Sequence, residues 1–248
     1  MIGLGTITNV VLIVVGASLG VLLGNRMPAR TSAVVTDALG LTTLVIGGLN
    51  LASLADPKFV AAVTAPGTLL TVLGALILGG VSGSLLRIEA RLESFGGWLQ
   101  DRFSKAGGGS AARAKFIHGF LDASLIFCIG PMAILGAFRD GMGQGFDQLA
   151  LKSFMDGFLA IAFAASLGWG VAASAIPVGI WQGFLTVLAF FLGSVLPGSA
   201  IAAITATGGV LMLGIGLRIT KIKDVPVGDL LPALIFAPLL TILVDAII

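Results

Sequence analysis

Eight runs of apolar residues, each close to the length of a bilayer crossing, punctuate the chain at roughly 2–24, 32–53, 66–86, 116–138, 149–172, 174–197, 200–218 and 226–247. A hydrocarbon core about 30 Å thick needs about 20 apolar residues of helix to cross it. Backbone amides cannot be left open to lipid, so runs of this length dictate helix. Composition agrees: 57% of the 248 residues are hydrophobic and 10% are charged, where a soluble domain carries about a quarter charged residues. This excludes an ordinary cytosolic enzyme, a nucleic-acid binder and a disordered tail. The expected fold class is all-α, a polytopic transmembrane bundle of about eight helices. Pro226, Pro232 and Pro238 interrupt the last run, which is expected to be kinked or partly re-entrant.

The rarest residues narrow the chemistry. A single cysteine, Cys128, excludes an internal disulfide framework or a multi-cysteine cluster, and a single histidine, His118, excludes HExxH-type zinc chemistry. No catalytic set, metal or cofactor is expected. The first basic residue is Arg26, so the first run lacks the cationic start of a signal peptide and is read as a span. Counting alternate connections, one side receives Arg26, Arg30, Arg87, Arg91, Arg102, Lys105, Arg113, Lys115, Arg218, Lys221 and Lys223, and the other only Lys58, Arg139 and Lys152. By the positive-inside rule the first side is cytoplasmic, and both termini lie outside.

The one long connection, 87–115, contains Ile88, Leu92, Phe95, Leu99 and Phe103 at helical spacing among charged residues. That is an amphipathic helix at the membrane surface, weakened at Gly96-Gly97 and followed by a flexible GGGS joint at 107–110. It reads as a solvated connector or as a regulatory surface. Four parts result: 1–86 as a first unit of three helices, 87–115 as the connector, 116–172 as a central pair, and 173–248 as a second unit of three helices.

The chain also matches itself. Residues 20–49 align without gaps on 189–218, with nine identities that include Gly24/Gly193, Pro28/Pro197, Gly40/Gly209, Leu44/Leu213 and Gly47/Gly216. Composition alone would give roughly three or four. One reading is that the match is only two similar Gly-x-x-x-Pro turns, in which Gly ends one helix and Pro starts the next. Taken whole, it relates the first two helices to the sixth and seventh, which cross in opposite senses, as in the inverted repeats of secondary transporters. The central helices resemble each other too, Phe120-Leu121-Asp122 against Phe154-Met155-Asp156. Entering from opposite faces, they place their two acids about 10 Å apart along the bilayer normal.

A charged side chain inside a transmembrane helix costs about 2.5–3.5 kcal/mol on insertion scales and is normally paired or functional. Asp122 and Asp156 therefore lead the pathway candidates. His118 and Lys152, each four residues earlier, share their helix faces. Lys152–Asp156 reads equally as a neutralised ion pair near the outer interface. Gly130-Pro131 interrupts the fourth helix, because Pro131 has no N–H for the carbonyl of Phe127. The break is either a plain kink or unwound backbone lining a site. Cys128 is read as packing beside it. Asn9 and Gln182 bring amides into the first and sixth helices, where interhelical hydrogen bonding explains them without transport. Asp37 is read as snorkelling to the cytoplasmic interface, and Gly16, Gly20 and Gly24 as a packing stripe.

At CIGPMAILGA (128–137) and KSFMDGF (152–158), together with GNRMP at 24–28 and Gln182-Gly183, the sequence resembles the YdfK/YqgA-like uncharacterised integral membrane family of bacteria, a domain-of-unknown-function family. The resemblance covers essentially the whole chain and implies a polytopic helical fold in the bacterial cytoplasmic (inner) membrane. The expected function is secondary transport of a small solute or ion coupled to protons or Na⁺. The bilayer and that substrate are the expected partners, and homo-oligomerisation is left open. Two alternatives stand beside it: a passive channel, independent of any coupling gradient, and a non-transport scaffold or assembly factor. Aspartyl enzyme chemistry is not expected, because its carboxylates must share a proton.

Overall fold

The computed structural model describes residues 2–24, 28–103, 110–128, 131–192 and 197–247. Every regular element among them is helical. In chain order these are α1 (Leu4–Gly24), α2 (Ala29–Asn50), a 3-10 turn (Leu51–Ala55), α3 (Pro57–Val63), α4 (Ala65–Leu86), α5 (Ile88–Phe103), α6 (Ser110–Cys128), α7 (Pro131–Gly141), α8 (Asp147–Leu167), α9 (Gly170–Ala173), α10 (Ala175–Leu192), α11 (Gly198–Ile219), α12 (Val227–Leu230) and α13 (Ala233–Asp245). Seven continuous stretches are long and apolar enough to cross a membrane, and the bent pair α6–α7 supplies an eighth if it is one crossing.

Several boundaries differ from the sequence expectation. The fourth run begins at Ser110 rather than 116, because Ala111-Ala112-Arg113-Ala114-Lys115 are strong helix formers that continue it outward. It then splits into α6 and α7, bent by 75°. The fifth ends at Leu167, where Gly168 turns the chain with φ +79°. α9 belongs to the sixth crossing, Gly170–Phe191. The connection after α2 is itself helical: Asp56 caps α3 by accepting from Lys58 N at 2.8 Å, and Pro57 starts it. The flexible joint at 107–110 falls outside the described residues except for Ser110.

The chain forms two compact units, each discontinuous in sequence. The first comprises Met1–Leu39 and Leu92–Ser194. Its spine is α1 against α8, in parallel. A Cβ placed on Gly16, Gly20 or Gly24 would lie 2.2–2.3 Å from the carbonyl oxygens of Gly157, Ile161 and Ala165 respectively. The stripe is therefore a backbone-to-backbone contact, as expected. α10 crosses α1 in the opposite sense, with Thr6 facing Thr186 and Asn9 facing Gln182. The buried carboxylate of Asp140, near the end of α7, accepts from Gly3 N (3.2 Å) and Gly5 N (3.0 Å) and so caps the start of α1. Gly119 of α6 packs on Leu167 at the end of α8, while Gly136 of α7 packs on Leu149 near its beginning. The bent pair thus meets α8 near both of its ends in reversed chain order, as a single broken crossing would. In α5, Leu99 packs on Phe116, Phe120 and Leu121, and Gly96 admits the Phe120 ring. The glycines that weaken α5 are where α6 comes closest.

The second unit comprises Gly40–Arg91 and Val195–Ile248. Its core is Phe59, Val63, Val72 and Ala75 against the small residues Ala203, Ala206, Ala233 and Ala237. α11 is the most buried crossing of the fold, and its alanines and glycines are what allow neighbours so close. The end of α2 meets α11 antiparallel through reciprocal contacts. Gly47 lies against Leu213 and the Gly209 carbonyl, and Gly216 lies against Leu44 and the Gly40 carbonyl. Likewise Gly40 approaches Thr220 N and Gly209 approaches Leu51 N, both at 3.2 Å to an added Cβ. α4 and α13 are also antiparallel, with Gly83 at Asp229, Gly79 at Ala233 and Gly74 at Leu240. The proline-interrupted last run therefore follows α4 for more than two turns, with its kink at Leu231-Pro232. On the other flank of α4, Leu69, Leu73, Ile77, Val81 and Leu85 are exposed in one apolar stripe. At the α4–α5 bend, Glu89 receives Arg218 and Gly228 N on its two carboxylate oxygens, and its own N–H donates to Asp229 Oδ1 at 2.9 Å.

Candidate functional site

The site lies in the first unit, where four helices meet at the break in the fourth crossing. α8 carries Lys152 and Asp156 one turn apart on the face it buries. Lys152 Nζ donates to Asp156 Oδ2, and the two side chains are only 8% and 7% exposed. The parallel seat of α1 brings Asn9 to the same level. Asn9 Nδ2 donates to Gln182 Oε1 of α10 at 3.0 Å, and its amide also lies against the Asp156 carboxylate. Both amide side chains are fully buried. Cys128, the last residue of α6, is within electrostatic reach of Lys152 and Asp156. Ser153, also fully buried, turns its hydroxyl back to the Leu149 carbonyl at 2.6 Å.

The break has a chemical cause. Pro131 cannot extend α6, and its fixed φ suits the first position of a new helix, so α7 starts there. Gly130 lies outside the described residues. Phe127, one turn before, is fully buried. The two antiparallel contacts, Gly119 with Leu167 and Gly136 with Leu149, set the level of every residue between them. Asp156 falls beside the break, and Asp122 about two turns away toward the end of α8, roughly 11 Å along the axis. Asp122 is buried, at 4% exposure.

The structure thus gathers Asn9, Gln182, Lys152, Asp156 and Cys128, and leaves Asp122 as a separate buried acid in the same unit. His118 is exposed, although it lies four residues before Asp122. Asp37 is exposed as well. Among the described residues no group of three His, Cys, Asp or Glu is placed to hold a metal ion. Two polar features escaped sequence reasoning. Asp140, near the end of a run with one helical face buried, caps a helix more than a hundred residues away. Arg218, counted as a loop cation, is buried on Glu89. In sequence Asp140 lies just past the apolar run 116–138, beside Arg139, and reads as part of a connection. The Glu89–Arg218 pair left no signal.

A chain whose described residues form only helices, seven or eight of them long and apolar enough to cross a bilayer, with an ion pair buried among them, is a polytopic membrane protein. It belongs to the family described as Protein of unknown function (DUF554), whose model matches residues 4–242. The chain is 34% identical over 235 residues to "Uncharacterized protein YqgA" of Escherichia coli (strain K12), covering 94% of each chain. It is 28% identical over 244 residues to "Uncharacterized membrane protein YdfK" of Bacillus subtilis (strain 168), covering 98% of this chain and 97% of that one. No solved structure matches.

Proposed function

We propose that the protein is a secondary transporter of the bacterial cytoplasmic membrane, moving a small solute or ion coupled to protons or Na⁺. The observation that carries this reading is the buried Lys152–Asp156 pair beside the broken fourth crossing. A paired charge in hydrocarbon is stable only while both partners are present. A proton or cation that takes Asp156 from Lys152 changes the charge at the break, so it changes which arrangement of α7 is favoured. The broken helix is the two-state element, and the ion shifts its population. Asp122, two turns nearer the cytoplasmic end on the proposed orientation, serves the inward-facing state, and Asp156 serves the outward-facing one. Asn9 and Gln182 line the route beside Asp156, near the end of α6 at Cys128.

The reciprocal contacts of α2 with α11 support an inverted repeat. They exchange under the same pairing of Gly40 with Gly209, Leu44 with Leu213 and Gly47 with Gly216 that aligns the two stretches in sequence. Such repeats are the common plan of alternating access. The axial gap between Asp122 and Asp156 supports ion passage over proton sharing by an aspartyl pair.

The test is flux in proteoliposomes loaded with a pH-sensitive dye, exposed to gradients of small solutes with and without Na⁺. Coupled flux is expected in the native protein and a loss of at least about tenfold in both Asp122→Asn and Asp156→Asn. Unchanged flux in both variants removes the mechanism.

A further inference from the structure

The two amides beside the ion pair are left half-used in opposite senses. Asn9 Oδ1, an acceptor, and Gln182 Nε2, a donor, are buried with no hydrogen-bond partner among the described residues, although the same two side chains bond to each other through Asn9 Nδ2 and Gln182 Oε1. A buried polar group left without a hydrogen-bond partner is costly and seeks one. Two neighbouring amides could close a second bond between them, and these do not, so one acceptor and one donor stay open side by side. They present one acceptor and one donor to a third group.

The charge around them restricts what that group can be. Lys152 and Asp156 cancel each other, so no net charge awaits an incoming ion. While that pair is closed, an ion desolvated at the amides meets no counter-charge, and the coupling ion acts on the pair itself rather than at the amides. A neutral molecule with a donor and an acceptor meets both amides and leaves the pair closed.

We infer that Asn9 and Gln182 form the solute-binding contact, and that the solute is a small uncharged molecule of the hydroxyl or amide class, its donor on Asn9 Oδ1 and its acceptor on Gln182 Nε2. The inference deepens the transport reading and rests on it for the solute's movement, but not for its binding. The ion pair then carries the coupling ion, and the amides carry the cargo.

Saturation-transfer difference NMR on the full-length protein in nanodiscs tests binding without any need for flux. The uncharged probes are acetamide and glycerol; the charged ones are acetate, methylammonium and zwitterionic L-alanine. The comparison protein is Asn9→Leu/Gln182→Met. Removing both amides together leaves neither of them with a stranded partner in the other; Asn9 also touches Asp156, and the unfolding midpoint reads whether losing that contact alters the fold. At least one uncharged probe is expected to show saturation transfer that drops about tenfold in the double variant, as loss of two hydrogen bonds implies. Charged probes are expected to give the same signal in both proteins. If neither uncharged probe gives a variant-sensitive signal, the amide contact holds water alone and the inference falls. It falls too if only a charged probe responds. Intact binding with no Asp156-dependent flux would instead sink transport and leave this inference standing.

Discussion

Lys152 and Asp156 show why a pair inside a membrane helix has to be judged as a pair. Spaced one turn apart, they meet without help from any other element, yet both side chains are almost fully withdrawn from solvent. Removing one partner strands the other, at about 3–5 kcal/mol, whereas removing both can be neutral. Lys152→Met alone is therefore expected to lower the unfolding free energy in detergent by about 3 kcal/mol, and Lys152→Met with Asp156→Leu by much less. Unfolding in graded denaturant reads the difference. Equal losses in the single and double variants would mean that the pair is solvated in solution and that the charge has little hold on α8.

At the scale of elements, small residues decide which helices touch. α1 can lie directly on the carbonyls of α8 because Gly16, Gly20 and Gly24 have no side chain there. Gly20→Val puts a branched carbon where only 2.2 Å separates an added Cβ from the Ile161 oxygen. Overpacking of this kind costs about 1–3 kcal/mol, and here the neighbour is backbone and cannot rotate away. Gly48→Ala on α2, with nothing within 4 Å, should be neutral or gain up to about 1 kcal/mol of helix propensity. A common effect of both substitutions on the detergent unfolding midpoint would show that α1 and α8 are not in backbone contact. The same contrast explains what could be read from sequence. Crossings are legible because hydrocarbon thickness sets their length, the glycine stripe because it repeats every four residues, and Lys152–Asp156 because it is local. Helical spacing puts His118 and Asp122 on one face but does not say which part of that face is buried, and His118 is exposed. Contacts between distant elements, Asn9 with Gln182 or Glu89 with Arg218, leave no periodic trace. Nor does a break shift the hydropathy of α6–α7, so only Pro131 announced it.

For the whole molecule, threading is the property that the local contacts constrain together. α1 and α8 run in parallel, while α10 opposes α1 and α6–α7 opposes α8. In the other unit α11 opposes α2, and α13 opposes α4. Alternating passage through eight crossings produces all of these relations, and it requires the broken fourth helix to count as a crossing. The positive-inside rule predicts the sense: counted on alternate connections, eleven basic residues fall on one side and three on the other. With Cys128→Ser as background, single cysteines at Lys58, Gln144 and Lys223 read out the sides. An impermeant maleimide on intact cells is expected to label the cysteines at 58 and 144, and to reach that at 223 only after permeabilisation. Labelling of 144 and 223 from one side would require the α6–α7 pair to turn back within the bilayer, which would undo the opposed pairing of repeats and with it the alternating-access plan. A fully reversed pattern would keep the threading and place the Asp156 end of the site toward the cytoplasm, exchanging the roles of Asp122 and Asp156.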